Sequence, residues 1–257
     1  MDDLQRARDA AVAEDKHLFV KNHTFYVWEP ASLSQSMWGG EMARPFAVLP
    51  GQGIGGSAST TRTNPTFFPD DFITSWQPVF LIRHPALTFE SWYRAELRVE
   101  PIDINLKSWN YLTTFQYSRQ LYDWFMSNCS NEDCEKENDS VTMGKPRPVV
   151  IDADDVIDGK AMSKLCEVCG MDPEHIRYEW EESRPSNTRG ANPREVSYLS
   201  GIWDSTTIDK SKSSQGLDVA AKYDQWKEEF GIVAADVLYT KVKSAMPDYE
   251  YLKSRKL

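Results

Sequence analysis

The chain has 257 residues, of which 40% are hydrophobic, 26% charged and 12% aromatic, and 29 Lys and Arg against 39 Asp and Glu leave a formal charge of −10. That length supplies ample material for a packed core, and the negative balance, with a sequence pI near 5.0, excludes a nucleic-acid backbone as the main partner, because phosphate tracking needs a cationic face. No run approaches the ~20 apolar residues that span a bilayer and the opening Met1 to Arg6 lacks the apolar centre of a secretory signal, so the expectation is a cytoplasmic protein without membrane partners. The oligomeric state stays open.

In chain order, Asp3 to Lys16 is rich in Ala, Leu, Arg and Glu and reads as a helix; Leu18-Phe19-Val20 follows as a short buried strand. Gly51 to Thr61 is a Gly/Ser/Thr-rich segment without hydrophobic periodicity and reads as a mobile loop. It spells Gly-x-Gly-x-x-Gly at Gly51, Gly53 and Gly56, but no strand precedes it and no helix follows, so the dinucleotide fingerprint fails its context. Pro78 to Ile82 is the next strand, leading through Arg83-His84-Pro85 into a helix over about Ala86 to Arg98. Lys107 to Phe125 carries Trp109, Tyr111, Leu112, Phe115, Leu121, Tyr122, Trp124 and Phe125 near helical spacing, a core-facing helix whose aromatics can also wall an apolar ligand pocket. The polar, acidic stretch 128–147 reads as a surface excursion and Ser186 to Arg194 as a polar connection. Pro148 to Ile151 is a third strand, after which Asp152, Asp154 and Asp155 cap a helix that runs through Cys169 and ends at Gly170. Short unalternating strands separated by helices predict an α/β fold with a parallel sheet covered by helices on both faces, in a single domain over 1–257.

Two constellations carry chemistry. Lys21-Asn22-His23 follows the first expected strand, and ligands of open parallel sheets sit beyond the carboxyl ends of strands. An imidazole titrates near neutrality and suits proton removal, and Lys21 can stabilise a developing anion. The alternative is a histidine satisfied by backbone in a loop. The second constellation is Arg83-His84-Pro85 with Ser91, where guanidinium, hydroxyl and the free N–H groups of a helix start can converge on an anion; the alternative pairs Arg83 with Asp152 or Glu96. Cys166 and Cys169, at i and i+3, provide at most half of a zinc site, and Cys129 and Cys134 lie in a polar loop, so no metal is expected. No Gly-x-Ser-x-Gly elbow marks a hydrolase.

Taken together, the two constellations resemble the sulfotransferase family, whose fold is of the P-loop type. In that family a strand ending in Lys-Thr-His or Lys-Ser-His carries the general base, and a later strand ending in Arg-(Asn/His)-Pro, with a Ser eight residues after the Arg, binds the 3′-phosphate of the sulfonate donor PAPS. Lys21, His23, Arg83 and Ser91 fall on those positions. The sequence is most similar to fungal sulfotransferase-like proteins of secondary metabolism through Arg62-Thr63-Asn64-Pro65-Thr66, Ser91 to Glu96, Val150 to Asp155 and Ala245 to Leu252. The resemblance implies catalytic roles for His23 and Lys21, and substrate or cofactor binding by Arg83, His84, Ser91, Arg62 and Trp109.

Relatives of this kind open with a strand, a phosphate-cradling loop of the type Pro-(Lys/Arg)-Ser-Gly-(Thr/Ser)-Thr and a helix, and the sequence starts after that point. The expected fold is therefore sulfotransferase-like without its first strand and P-loop. Loss of those donors removes charge stabilisation where the sulfonyl group moves. The family's C-terminal Arg-Lys-Gly element is also not spelled here, and Arg189-Gly190 or Lys210 to Lys212 are the stand-ins. The resulting expectation is a cofactor-free biosynthetic enzyme doing acid–base chemistry, such as cyclisation, lactonisation, dehydration or isomerisation, on a polyketide-like molecule with His23 as base. The alternatives are a PAPS-dependent sulfotransferase acting on a hydroxyl and a non-catalytic binding or scaffold protein.

Overall fold

The computed structural model describes residues 2–39, 62–128, 146–185 and 190–257. The expected loop over Gly51 to Thr61, most of the 128–147 excursion and Arg189 lie outside the described residues. The elements are α1 (Asp2–Ala13), α2 (Pro30–Trp38), α3 (Asp70–Ile73), β1 (Val79–Ile82), α4 (Pro85–Leu97), α5 (Gln116–Asn128), β2 (Val149–Asp152), α6 (Ala153–Ile157), α7 (Met162–Val168), α8 (Pro193–Trp203), α9 (Val219–Phe230) and α10 (Ile232–Lys253). β1 and β2 form a two-stranded parallel sheet. The architecture is thus α/β with many helices around a small sheet.

The chain divides into two compact units, residues 1–80 with 116–149 and residues 81–115 with 150–257; the division cuts both strands. In the first unit α1 ends at Asp15, which adopts a left-handed φ of 52° while the Lys16 amide returns to the Ala11 carbonyl at 2.8 Å, a C-cap that a short acidic side chain tolerates. The strand expected at Leu18 to Val20 does not form. These residues are irregular, with Phe19 77% and Val20 46% exposed; among the described residues the apolar run of three finds no neighbouring ladder to pair with, and propensity alone does not make a strand. The core of this unit is aromatic: the buried Trp28 meets Tyr117 edge-on at 4.9 Å, and Phe80 meets Tyr122 and Phe125 edge-on. Asp70 organises the segment before β1, accepting from the amides of Thr63 and Asn64 and from the Asn64 side chain, while Thr66 bridges to Trp28.

In the second unit α4 starts where the sequence places it, with Pro85 in its first turn and His84 as N-cap. It buries Ala86, Phe89, Glu90, Trp92, Tyr93, Ala95 and Glu96. α10 packs on α4 and α9 through Ala234, Ala235, Leu238, Val242, Ala245, Tyr249 and Leu252, spaced three and four apart. Lys256 bridges in parallel to Val150, so the end of the chain lies along β2. The helix expected from Asp152 to Cys169 is two helices, α6 and α7, separated at Gly159, whose φ is 74°. The helix expected over Lys107 to Phe125 is also broken: a 3-10 turn covers Lys107–Leu112 and α5 begins at Gln116. Between them the Thr113 hydroxyl donates back to the Trp109 carbonyl at 3.1 Å, a local bond that competes with helix continuation. No described helix is long and apolar enough to cross a membrane.

Candidate functional site

Lys21, His23 and Arg62 belong to the first unit, and Arg83, His84, Ser91 and Trp109 to the second. His23 is the residue immediately before the short 3-10 turn Thr24–Tyr26. The turn is tied to α5 by the Thr24 and Ser118 hydroxyls at 3.1 Å. Its imidazole stacks on Phe25 with centroids 5.2 Å apart and 14° between planes, and meets Tyr26 edge-on at 5.9 Å. The Lys21 ammonium stands 3.2 Å from Nε2. An ammonium only donates, so Nε2 is the acceptor and the ring is the neutral Nδ1–H form. The surrounding protein, and next the Lys21 charge, push the imidazole below its ordinary 6.5. The sequence pairing of Lys21 with His23 is therefore real in space, although the strand thought to present them is a loop.

Arg62 lies beside Glu29, whose Oε2 accepts the Ser32 amide at 2.7 Å and caps α2. Its charge adds to the hydrogen bonds that hold the Glu29 carboxyl below its ordinary pKa.

Arg83 extends from the carboxyl end of β1 and donates through Nη2 to the Lys212 carbonyl at 3.2 Å. Neither carboxylate anticipated for it is its partner. Asp152 accepts from Tyr249 and from the Asp154 amide, and Glu96 is engaged by Arg194 and Tyr198. Among the described residues Arg83 has no ion pair within 4.0 Å. Burial lowers its pKa against the opposing pull of Asp154, Glu90 and Asp209, and a guanidinium stays charged regardless. The result is a part-buried cation held near, but not neutralised by, acidic groups.

The partner carbonyl comes from Lys210–Lys212, a 3-10 turn capped by Asp209. This is the stretch named as a stand-in for the C-terminal phosphate element, and it does meet Arg83. It is latched by Asp154, whose Oδ1 accepts the Ser213 hydroxyl at 3.0 Å and the Ser214 amide at 2.7 Å, and whose Oδ2 accepts the Ser214 hydroxyl. Sequence reasoning missed this latch. Its only signal was the acidic turn after β2 together with a serine-rich segment some sixty residues on, and nothing local links the two.

The other candidates have more ordinary surroundings. His84 accepts the Ala86 amide through Nδ1 at 3.2 Å and lays its ring edge-on to Tyr249 at 5.5 Å; burial and then Lys253 hold it below its ordinary pKa, so it is a neutral cap. Ser91 is exposed on α4, and no described hydrogen bond joins it to Arg83. Trp109 donates to the Asp103 carbonyl at 3.1 Å and packs on Trp92, and so anchors its own unit. Cys166 is buried and Cys169 half-buried, both free, while Cys129 and Cys134 lie outside the described residues. No group of three or more His, Cys, Asp and Glu among the described residues could hold a metal ion.

Each unit thus offers one charged feature, an imidazole with an ammonium beside its acceptor nitrogen in the first and a guanidinium without an ion pair among the described residues at the end of β1 in the second. The chain is 34% identical over 258 residues to sulfotransferase ppzF of Metarhizium majus (strain ARSEF 297), a match covering 98% of this chain and 73% of that protein. It is 33% identical over 257 residues to sulfotransferase ppzF of Metarhizium rileyi (strain RCEF 4871), with the same shares covered. No family model and no solved structure matches the chain. By these likenesses the chain belongs to a family of fungal sulfotransferase-like proteins.

Proposed function

We propose that the protein is a cytoplasmic enzyme of secondary metabolism that transfers a sulfonyl group to the hydroxyl of a small molecule, with His23 as general base. The observation that carries this reading is Arg83, a part-buried guanidinium at the end of β1 whose described hydrogen-bond partner is the Lys212 carbonyl; the base is argued from the Lys21–His23 contact of 3.2 Å. His23 is neutral and takes the hydroxyl proton on Nε2; Lys21, displaced from that nitrogen, follows the charge onto the substrate oxygen. Arg83 holds an anion, here the 3′-phosphate of PAPS. The fit is chemical: a part-buried guanidinium without an ion pair among the described residues suits a phosphate, and a backbone carbonyl is a partner it can give up. When bound, PAPS supplies the activated sulfonyl group. Ser91 and the Lys210 to Lys212 turn are the further residues available to it.

The availability of Arg83 and the relatives' name support sulfonyl transfer, and we rank it above the acid–base chemistry preferred from the sequence. The second reading keeps one specific support. The Lys21–His23 pair is complete without any donor, and serves a cyclisation, lactonisation, dehydration or isomerisation of a polyketide-like substrate equally well.

Calorimetry with adenosine 3′,5′-bisphosphate separates the two. Saturable binding that is lost in Arg83→Met supports sulfonyl transfer. No binding to the wild type removes it and leaves the acid–base reading. His23→Ala abolishes turnover under both, and turnover that survives it overturns both.

A further inference from the structure

A second candidate binding site lies wholly within the other unit, on the face of α10 turned toward the 104–112 segment. A cavity of about 340 Å³ is lined by Ile104, Asn105, Asp236, Val237, Thr240 and Lys241. That volume suits a compact small molecule rather than a cofactor.

Its polar groups are not balanced. The Lys241 ammonium has no carboxylate within 4.0 Å among the described residues; its one described partner is Asn110 Oδ1, at 2.6 Å. Two of its three N–H bonds are therefore unspent. The side chain is half-buried, and burial alone pushes its pKa down. A part-desolvated ammonium served only by a neutral amide is an incomplete arrangement, because charges withdrawn from water are ordinarily paired. Asn110 spends its oxygen on Lys241 and has its amide hydrogens left, and the Thr240 hydroxyl takes part in no described hydrogen bond. Apart from the Asn110 oxygen, no described acceptor is bonded to these donors, although the Asp236 carboxylate lines the same cavity.

The other walls limit what can sit there. Ile104, 3% exposed, and the half-buried Val237 give an apolar surface. Asp236, on the helix one to two turns before Lys241, accepts the Tyr223 hydroxyl at 2.6 Å and keeps its negative charge at that end. A second negative charge on the ligand would meet it with repulsion.

We propose that this cavity is a binding site for a small monocarboxylate, whose carboxylate is held by Lys241, itself braced by Asn110, and by Thr240, and whose apolar body lies against Ile104 and Val237. The site is independent of His23 and Arg83, so it stands or falls apart from the activity proposed above.

The probe is benzoate, followed by isothermal calorimetry and by amide chemical-shift mapping of the whole chain, with benzamide and succinate as controls. Saturable millimolar or tighter binding is expected for benzoate, with shifts centred on Ile104, Asn110, Thr240 and Lys241. Benzamide, which lacks the charge, and succinate, which carries a second one, are each expected to bind at least tenfold more weakly. Lys241→Met keeps the apolar stem and is expected to weaken benzoate at least tenfold; should that variant not fold, the mapping on the wild-type chain decides alone. Absence of saturable binding, shifts located elsewhere, equal affinity for benzamide, or undiminished affinity in a folded Lys241→Met each overturn the proposal.

Discussion

The Tyr249 hydroxyl donates to Asp152 Oδ2 at 2.8 Å, and the two residues are 0% and 1% exposed. The bond ties α10 to the carboxyl end of β2, the same end at which Asp152 Oδ1 receives the Asp154 amide and starts α6. Burial, and then the bond itself, raise the tyrosine far above its ordinary pKa, so it donates at any pH the fold survives. Tyr249→Phe leaves a buried carboxylate oxygen without its donor. The expected loss is about 1–3 kcal/mol of unfolding free energy, measured by urea denaturation.

Glu90 is the hub of a larger buried cluster. It is 5% exposed and accepts from Trp226 Nε1 at 2.8 Å, from Lys222 and from Arg94. Glu90→Ala strands the Lys222 ammonium, whereas Arg94 keeps Glu229. The expected cost is about 3 kcal/mol, the lower end for a broken buried pair, again read by denaturant unfolding.

The same carboxylate predicts an acid response. Burial raises its pKa, but the donors Trp226, Lys222 and Arg94 outweigh burial and bring it below the ordinary 4.5. A depressed carboxylate contributes stability above its unfolded pKa and loses it as pH falls through the folded value. Wild-type stability should therefore drop below about pH 4.5 more steeply than that of Glu90→Gln, measured by unfolding at a series of pH values.

For His23 the sign is opposite. The surrounding protein and the Lys21 charge disfavour the imidazolium, so the ring titrates below 6.5. Lys21→Met removes one of the two causes, and the His23 pKa is expected to rise, as read by the ring-proton chemical shifts. Activity in the wild type should then hold down to pH values below 6.5, and its acid limb should move up in Lys21→Met.

Asp154 keeps the Lys210 to Ser214 stretch in place through three hydrogen bonds. Asp154→Ala releases it, and the expected result is faster limited proteolysis within 209–216 and weaker binding of adenosine 3′,5′-bisphosphate. Unchanged cleavage would show that Arg83 and Lys212 alone suffice to hold the segment.

Much of the second unit was legible before any coordinates. Pro85 after a strand, and the apolar spacing to Leu97, specify the start and buried face of α4; Asp152 at the end of Val149–Asp152 specifies a cap. The first unit was less so. Leu18-Phe19-Val20 has strand composition, yet a strand exists only where another chain segment accepts its hydrogen bonds, and none among the described residues does. The break at Thr113 is similar: aromatic spacing ran on through Phe125, but the Thr113 hydroxyl bonds back to the Trp109 carbonyl and the helix begins only at Gln116.

By itself the sequence determined the family, the nearness of Lys21 to His23 along the chain, and the cation at the end of β1, because each depends on neighbours within a few residues or on a motif copied whole. Only the tertiary structure decided that Arg83 faces the Lys212 carbonyl instead of Asp152 or Glu96, that Asp154 grips Ser213 and Ser214, and that Lys241 pairs with Asn110 and with no carboxylate among the described residues. Those outcomes depend on which distant segments fold side by side, and the desolvation that makes an unpaired charge significant exists only once they have packed.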